Sequence, residues 1–198
     1  MLCDSFKNTA VIEFVEGKSI ILKNEDFEIK ALSNSSYKDS IKYLNSENLS
    51  KDFDPYMKNS LKRFKTAAEC LKHIPEGMSY IDYSFEILKK VSREDTTWSA
   101  VYDIKNRKVH FFTKSSTEIK SITLDKIDFG NDSDSKLLIL SKDLSGDVTD
   151  RFEKYSSEIN KKLVYSFFKN KEIMKIMNID IPNEMLEFLS GYPESLEI

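Results

Sequence analysis

Apolar residues follow a period of about two in two stretches of this chain and about 3.6 in two others, and the two kinds of stretch alternate along the sequence. Residues 10–14 and 19–22 are short apolar runs joined by Val15-Glu16-Gly17-Lys18, and the glycine supplies the positive φ that a tight hairpin turn demands. A third apolar run, 27–32, ends in Ser33-Asn34-Ser35-Ser36-Tyr37, which reads as a loop followed by a helix cap. Tyr37, Ile41 and Leu44 then share one helical face. Residues 53–56 read as a loop around Pro55. A helix follows from Asn59, with Leu61, Phe64, Ala67, Ala68 and Leu71 inward, stopped by Pro75-Glu76-Gly77. Another amphipathic helix is expected over 80–91. Strand spacing returns with Trp98, Ala100, Tyr102 and Ile104, a turn at 105–108, and a second arm through Val109 and Phe111. Residues 119–124 and 137–140 read as two further strands. From Asp147 the steps at Val148, Phe152, Tyr155, Ile159, Leu163 and Phe167 predict the longest helix, and 173–192 predicts two shorter ones divided by Pro182. Hairpin-linked strands followed by runs of helices define an α+β fold, with antiparallel sheets layered against helices.

Composition narrows the function classes. The 198 residues, 40% of them apolar, suffice for one sizeable core, so a single domain over 1–198 is expected. No apolar run approaches the length of a membrane span, so no membrane partner is expected. The first residues show no secretory signal, which makes the cytoplasm the default compartment. Charges of both signs are interleaved to a net −3 without a basic patch, which argues against nucleic acid. Five glycines and no Gly-rich loop argue against a phosphate-binding turn. Cys3, Cys70, His73 and His110 lack metal-ligand spacing, so neither a zinc site nor another cofactor is expected.

Several strings, in order, resemble one family. Leu2-Cys3-Asp4, then Asn8-Thr9-Ala10-Val11-Ile12-Glu13-Phe14 and a Gly-Lys turn, look like an internal hairpin of the choloylglycine hydrolases. This is the group of linear amide C–N hydrolases that includes bile salt hydrolases and penicillin V acylases. Ala31-Leu32-Ser33-Asn34-Ser35-Ser36-Tyr37 resembles their Leu-Thr-Asn-x-Pro stretch, and Ser60-Leu61-Lys62-Arg63-Phe64 with Ala67-Ala68 is similar to their Ser-x-x-Arg-Phe-x-x-Ala-Ala helix. Thr97-Trp98-Ser99-Ala100-Val101-Tyr102-Asp103 matches the strand that follows. Leu124-Asp125, Asp128-Phe129, and Phe152-x-x-Tyr155 with Asn160 fit the C-terminal strand and helix.

The resemblance implies part of an αββα sandwich of the N-terminal-nucleophile hydrolases, in which a cysteine thiol attacks an amide carbonyl and its own α-amino group serves as base. It places Asn34 as the oxyanion donor and Arg63 as the cation beside the nucleophile, so the two should face a common cleft. Removing an oxyanion donor typically costs about 3 kcal/mol of transition-state stabilisation. The substrate of the complete enzyme would be a small-molecule amide. The spacing between Asn34 and Arg63 is shorter than in the bile salt enzymes, so selectivity does not carry over.

The family's nucleophile lies far upstream of the Asn34-like position, followed by an Arg and an Asp. No Arg occurs before Arg63. Cys3 matches an ordinary strand residue, and Leu2 before it blocks simple methionine removal as a way to expose it. The nucleophile segment is therefore expected to be absent, Cys3 to be a small buried strand residue, and the chain alone to be inactive. The sheet would then show unpaired edges, to be met by a missing N-terminal segment or by a second copy.

Plainer roles compete at every position. Asn34 suits a loop cap, Arg63 a solvated helix face, Cys70 a packed thiol, and His73 a helix C-terminus. His110 has no acid at a telling spacing. Trp98 and the Phe111-Phe112 pair read as sheet core. A non-catalytic α+β interaction module, a degenerate remnant, or an unrelated α+β domain stay open beside the amidase.

Overall fold

A computed structural model gives the structure of the chain and describes every residue except 1, 5, 7, 47–52, 131–134, 141–142, 172–173, 176–179 and 196–198. The described chain falls into two compact units, one of residues 1–124 and 142–147, the other of residues 125–141 and 148–198.

The first unit begins with an antiparallel sheet, β1 (Leu2–Cys3), β2 (Thr9–Val15) and β3 (Lys18–Lys23), in that spatial order. Val15 pairs with Lys18, and the two residues between them, Glu16 and Gly17, hold φ of 50° and 75°. Two successive positive φ values make the mirror-type turn whose twist matches the flanking strands. Val11 is buried on one face of the sheet, while Leu2, Ile12, Phe14 and Ile21 are exposed. Cys3 is exposed, contrary to the buried position expected of it. The strand is only two residues long, and the thiol donates to the neighbouring Asp4 carbonyl at 3.6 Å.

Three helices follow: α1 (Tyr37–Ser46), α2 (Pro55–Lys72) and α3 (Tyr80–Lys90). Ser36 Oγ accepts the Asp39 N–H at 3.1 Å at the start of α1, and Ser79 accepts the Asp82 N–H at 3.1 Å at the start of α3. α1 buries Tyr37, Ser40 and Tyr43 rather than a face centred on Ile41. α2 starts four residues before the expected Asn59. Asp54 caps it by accepting the Met57 N–H at 2.7 Å, and Pro55 takes the first helical position, where its missing N–H costs nothing. Ser60, Leu61, Phe64 and Ala68 form its buried face, whereas Leu71, in the last turn, is exposed. Full burial of Leu61 and Phe64 stabilises by about 1.5–3 kcal/mol each. Tyr37 links this core edge to face, with ring centroids 5.3 Å from Phe27 and 6.3 Å from Phe64. The Tyr83 hydroxyl of α3 lies 2.6 and 2.8 Å from the Cys70 and His73 carbonyls at the open end of α2.

A second sheet completes the unit. β4 (Trp98–Asp103), β5 (Lys108–Thr113) and β6 (Ser116–Thr123) are antiparallel neighbours, and a two-residue strand, Gly146–Asp147, lies parallel to β6. Phe112 of β5 packs on Phe85 of α3 with centroids 5.4 Å apart. Lys120 on β6 is fully buried where the β5–β6 register shifts. Its ammonium donates to Ser116 Oγ and Glu118 O, both at 2.7 Å, and to Ser116 O at 3.2 Å. Those neutral oxygens satisfy all three donors. Trp98, expected in the sheet core, is 61% exposed at the start of β4.

In the second unit the strand expected over 137–140 shrinks to Lys136–Leu137, antiparallel to Glu153–Lys154. The helix expected from Asp147 starts ten residues later, because a 3-10 turn at Thr149–Arg151 and the Glu153–Lys154 pairing occupy the intervening chain. That helix, α4 (Ser157–Phe168), is shorter than α2. It packs on α5 (Asn183–Ser195), begun just after Pro182. Asn160 Nδ2 donates to the Ser190 carbonyl at 2.7 Å, and Glu187 accepts from Lys161 Nζ at 2.8 Å and from the Tyr165 hydroxyl. The other helix expected in 173–192 falls largely outside the described residues.

Candidate functional site

Five buried or half-buried serines set the position of Asn34. Ser60 Oγ, on the inward face of α2, accepts the Ser35 N–H at 2.8 Å and donates to Ser33 Oγ at 3.1 Å. Ser36 and Ser40 fasten the other end of the loop through the Ser40 Oγ to Ser36 carbonyl bond at 2.9 Å. Glu13 of β2 accepts the Tyr37 N–H at 2.9 Å. The loop is thereby tied to α1, α2 and the first sheet, and Asn34 projects from its exposed side.

α2 meets it there. Tyr56, Asn59 and Arg63 are spaced by three and four residues, so they stand in one stripe two helical turns long. Arg63 Nη2 donates to Asn34 Oδ1 at 3.0 Å, and Arg63 Nε donates to Asn59 Oδ1 at 3.0 Å. Asn34 Nδ2 donates to the Tyr56 hydroxyl oxygen at 2.6 Å. The structure thus brings Asn34 and Arg63 into direct contact.

The turn between α3 and β4 adds a second arginine. Arg93 N donates to Thr96 Oγ1 at 2.8 Å and Thr96 N to the Arg93 carbonyl at 3.0 Å, closing the turn. Within it Arg93 grips Asp95 with two bonds of 2.8 Å, from Nε and Nη2. The Arg93 guanidinium lies 5.3 Å from the centre of the Tyr56 ring. These bonds from Arg93, with a smaller contribution from Arg63, hold the Asp95 carboxyl below the ordinary aspartate range, and Asp95 in turn raises Arg93. An open depression of about 380 Å³ is lined by Asn34, Tyr56, Arg93, Asp95 and the Thr96–Thr97–Trp98 edge.

The sequence gives no role to Tyr56, Arg93 or Asp95, and it suggests sheet core for Trp98, which lies exposed here instead. The α2 stripe was readable once Asp54-Pro55 is taken as a cap and first helical residue. The scarcity of arginine was the other signal, since only four occur against 26 lysines and two of the four meet here.

No cysteine is among the residues lining this depression. Cys3 lines another, with Asp4, Asn8, Thr9 and Asn24. Cys70 lies 14 residues beyond Tyr56 on the same helix, about 21 Å along its axis.

The fold is α+β, with antiparallel and mixed sheets and five helices among the described residues, the class that the resemblance implied. Penicillin V acylase from Agrobacterium tumefaciens is similar in structure, with a TM-score of 0.58 and 18% sequence identity over 75% of this chain and 54% of that chain. The chain therefore spans about half the length of the acylase it matches. No family model and no curated protein matches the sequence.

Proposed function

We propose that the chain is part of an amide C–N hydrolase of the N-terminal-nucleophile type, related to the choloylglycine hydrolases and penicillin V acylases. The observation that carries this reading is the Asn34–Arg63 hydrogen bond on a fold like that of an acylase. In this reading Asn34 stabilises the oxyanion of a tetrahedral intermediate through its amide N–H, and Arg63 orients that amide and supplies a fixed positive charge. The substrate is a small-molecule amide. The attacking thiol comes from a segment other than the ones described, because the depression beside Asn34 holds no cysteine.

Incubation of the 198-residue chain with penicillin V, conjugated bile salts and acyl-homoserine lactones tests the division of labour. No turnover is expected. Hydrolysis abolished by Cys3→Ser would overturn the assignment of the nucleophile to another segment. The coding sequence preceding Met1 tests the family reading itself: an open frame with a cysteine-initiated strand, followed by an Arg and an Asp, supports an enzyme in two parts. The absence of a cysteine at the site also favours a second reading, a binding module that keeps the fold without the chemistry. For that module no cysteine-bearing segment restores hydrolysis.

A further inference from the structure

Arg63 decides the hydrogen-bond polarity of the whole depression. A guanidinium has only donors, so the atom of Asn34 that meets Arg63 Nη2 at 3.0 Å is the amide oxygen. The amide nitrogen must then face Tyr56, 2.6 Å away. An N–H pointing at a phenol makes the phenol oxygen the acceptor, which leaves the Tyr56 O–H free to donate. The second Nδ2–H of Asn34 has no partner among the described residues. Arg93 spends Nε and Nη2 on Asp95, and its Nη1 has no partner among the described residues. Beside these donors Trp98 is 61% exposed along the wall. Two guanidiniums against one carboxylate leave the cluster with an excess of one positive charge. An opening lined by unspent donors, one net cation and a flat indole fits an aromatic or apolar monocarboxylate. A neutral amide of the same shape presents one oxygen acceptor in place of two and no charge.

We propose that the depression between Asn34, Tyr56, Arg93 and Trp98 binds a small aromatic carboxylate, its oxygens on the Tyr56 hydroxyl and Arg93 Nη1 and its ring on Trp98. This deepens the reading of the Asn34–Arg63 site, since amide hydrolysis releases a carboxylate. It does not depend on turnover.

Trp98 is the sole tryptophan, so its fluorescence reports binding directly. The full chain is titrated with benzoate and, in parallel, with benzamide, with excitation at the red edge of indole absorption and calorimetry as a second readout. Benzoate is expected to give a saturable change and to bind at least about tenfold more tightly than benzamide. Tyr56→Phe, which keeps the ring under Arg93, and Arg93→Gln are each expected to weaken benzoate about tenfold while leaving benzamide unchanged. Far-UV circular dichroism establishes that each variant is folded. Equal binding of the two ligands overturns the proposal, as does benzoate binding indifferent to both substitutions, or no signal and no heat from the folded chain. Missing amidase activity leaves the proposal standing, and missing benzoate binding leaves the acylase-type reading standing.

Discussion

Arg63 on α2 and Asn34 on the loop before α1 are 29 positions apart in sequence and joined by a 3.0 Å hydrogen bond from Nη2 to Oδ1. The bond fixes which end of the amide faces Tyr56. Arg63→Met is therefore expected to free the Asn34 side chain to rotate, at a stability cost of about 0.5–1.5 kcal/mol. The check is the Asn34 side-chain amide pair in a nitrogen–proton correlation spectrum. Both proton shifts should move toward those of an unstructured asparagine in the variant and stay displaced from them in the parent.

Ser60 carries the loop that presents Asn34, and it is fully buried. Ser60→Ala strands the Ser35 N–H and removes the donor to Ser33. A loss of about 1–3 kcal/mol is expected in urea unfolding. Ser60→Thr keeps the hydroxyl and should recover part of it, unless the added methyl overpacks the α2 face.

Phe64 and Trp98 give opposite results for substitutions of similar size. Phe64 is buried with its ring edge to face with Tyr37, so Phe64→Ala should cost about 3–5 kcal/mol. Trp98 is exposed, and Trp98→Ala should change stability by no more than about 0.5 kcal/mol. Paired denaturant melts decide the matter. A large loss at Trp98 would mean that the indole is covered in solution.

Asp95 gives the site a pH dependence with a definite sign. Its folded pKa is depressed, first by the Arg93 hydrogen bonds and then by the charges of Arg93 and Arg63. The stabilisation it contributes is present above the pKa of the unfolded aspartate and disappears as pH falls through the lower folded value. The Asp95 carboxyl carbon should titrate below an ordinary aspartate, and Arg93→Gln should return it toward that range. In the second unit Glu187 is lowered mainly by Lys161 and then by Tyr165, while Glu187 raises Tyr165 above an ordinary phenol. Glu187→Gln should shift the alkaline absorbance transition of Tyr165 to lower pH.

Glu16 sits at φ 50° in a turn whose first central position suits asparagine. Glu16→Asn is expected to raise stability by about 0.5–1 kcal/mol, and Gly17→Ala, at φ 75°, to lower it by about 1 kcal/mol. Thermal melts of the two variants should move in opposite directions.

Local signals were legible where one interaction decides the outcome. The hairpin at Gly17, the cap at the end of the serine-rich loop before Tyr37 and the alternation of β4 with β5 follow from turn chemistry and side-chain period, and α+β follows from their order. Two misreadings have a common physical origin. Pro55 marks a loop as readily as it marks a first helical turn, and only the Asp54 cap distinguishes them. The 3.6 spacing from Val148 to Phe167 was real, but its first half is spent on a 3-10 turn and strand pairing, which tertiary contacts favoured over helix propensity.

Asn34 and Arg63 could be picked out of the sequence by resemblance, since each lies in a short string with its own residue pattern. Their partners could not. Tyr56, Arg93, Asp95 and Trp98 line one depression with Asn34 only because the serine-bonded loop, the stripe of α2 and the α3–β4 turn converge. Spatial convergence depends on packing between segments tens of residues apart, which local pattern does not encode. The sequence by itself determined the α+β order of the elements and singled out Asn34 and Arg63 by resemblance. The tertiary structure decided the amide's orientation, the polarity of the depression and the exposure of Trp98, because these depend on which groups are left without partners once the chain has folded.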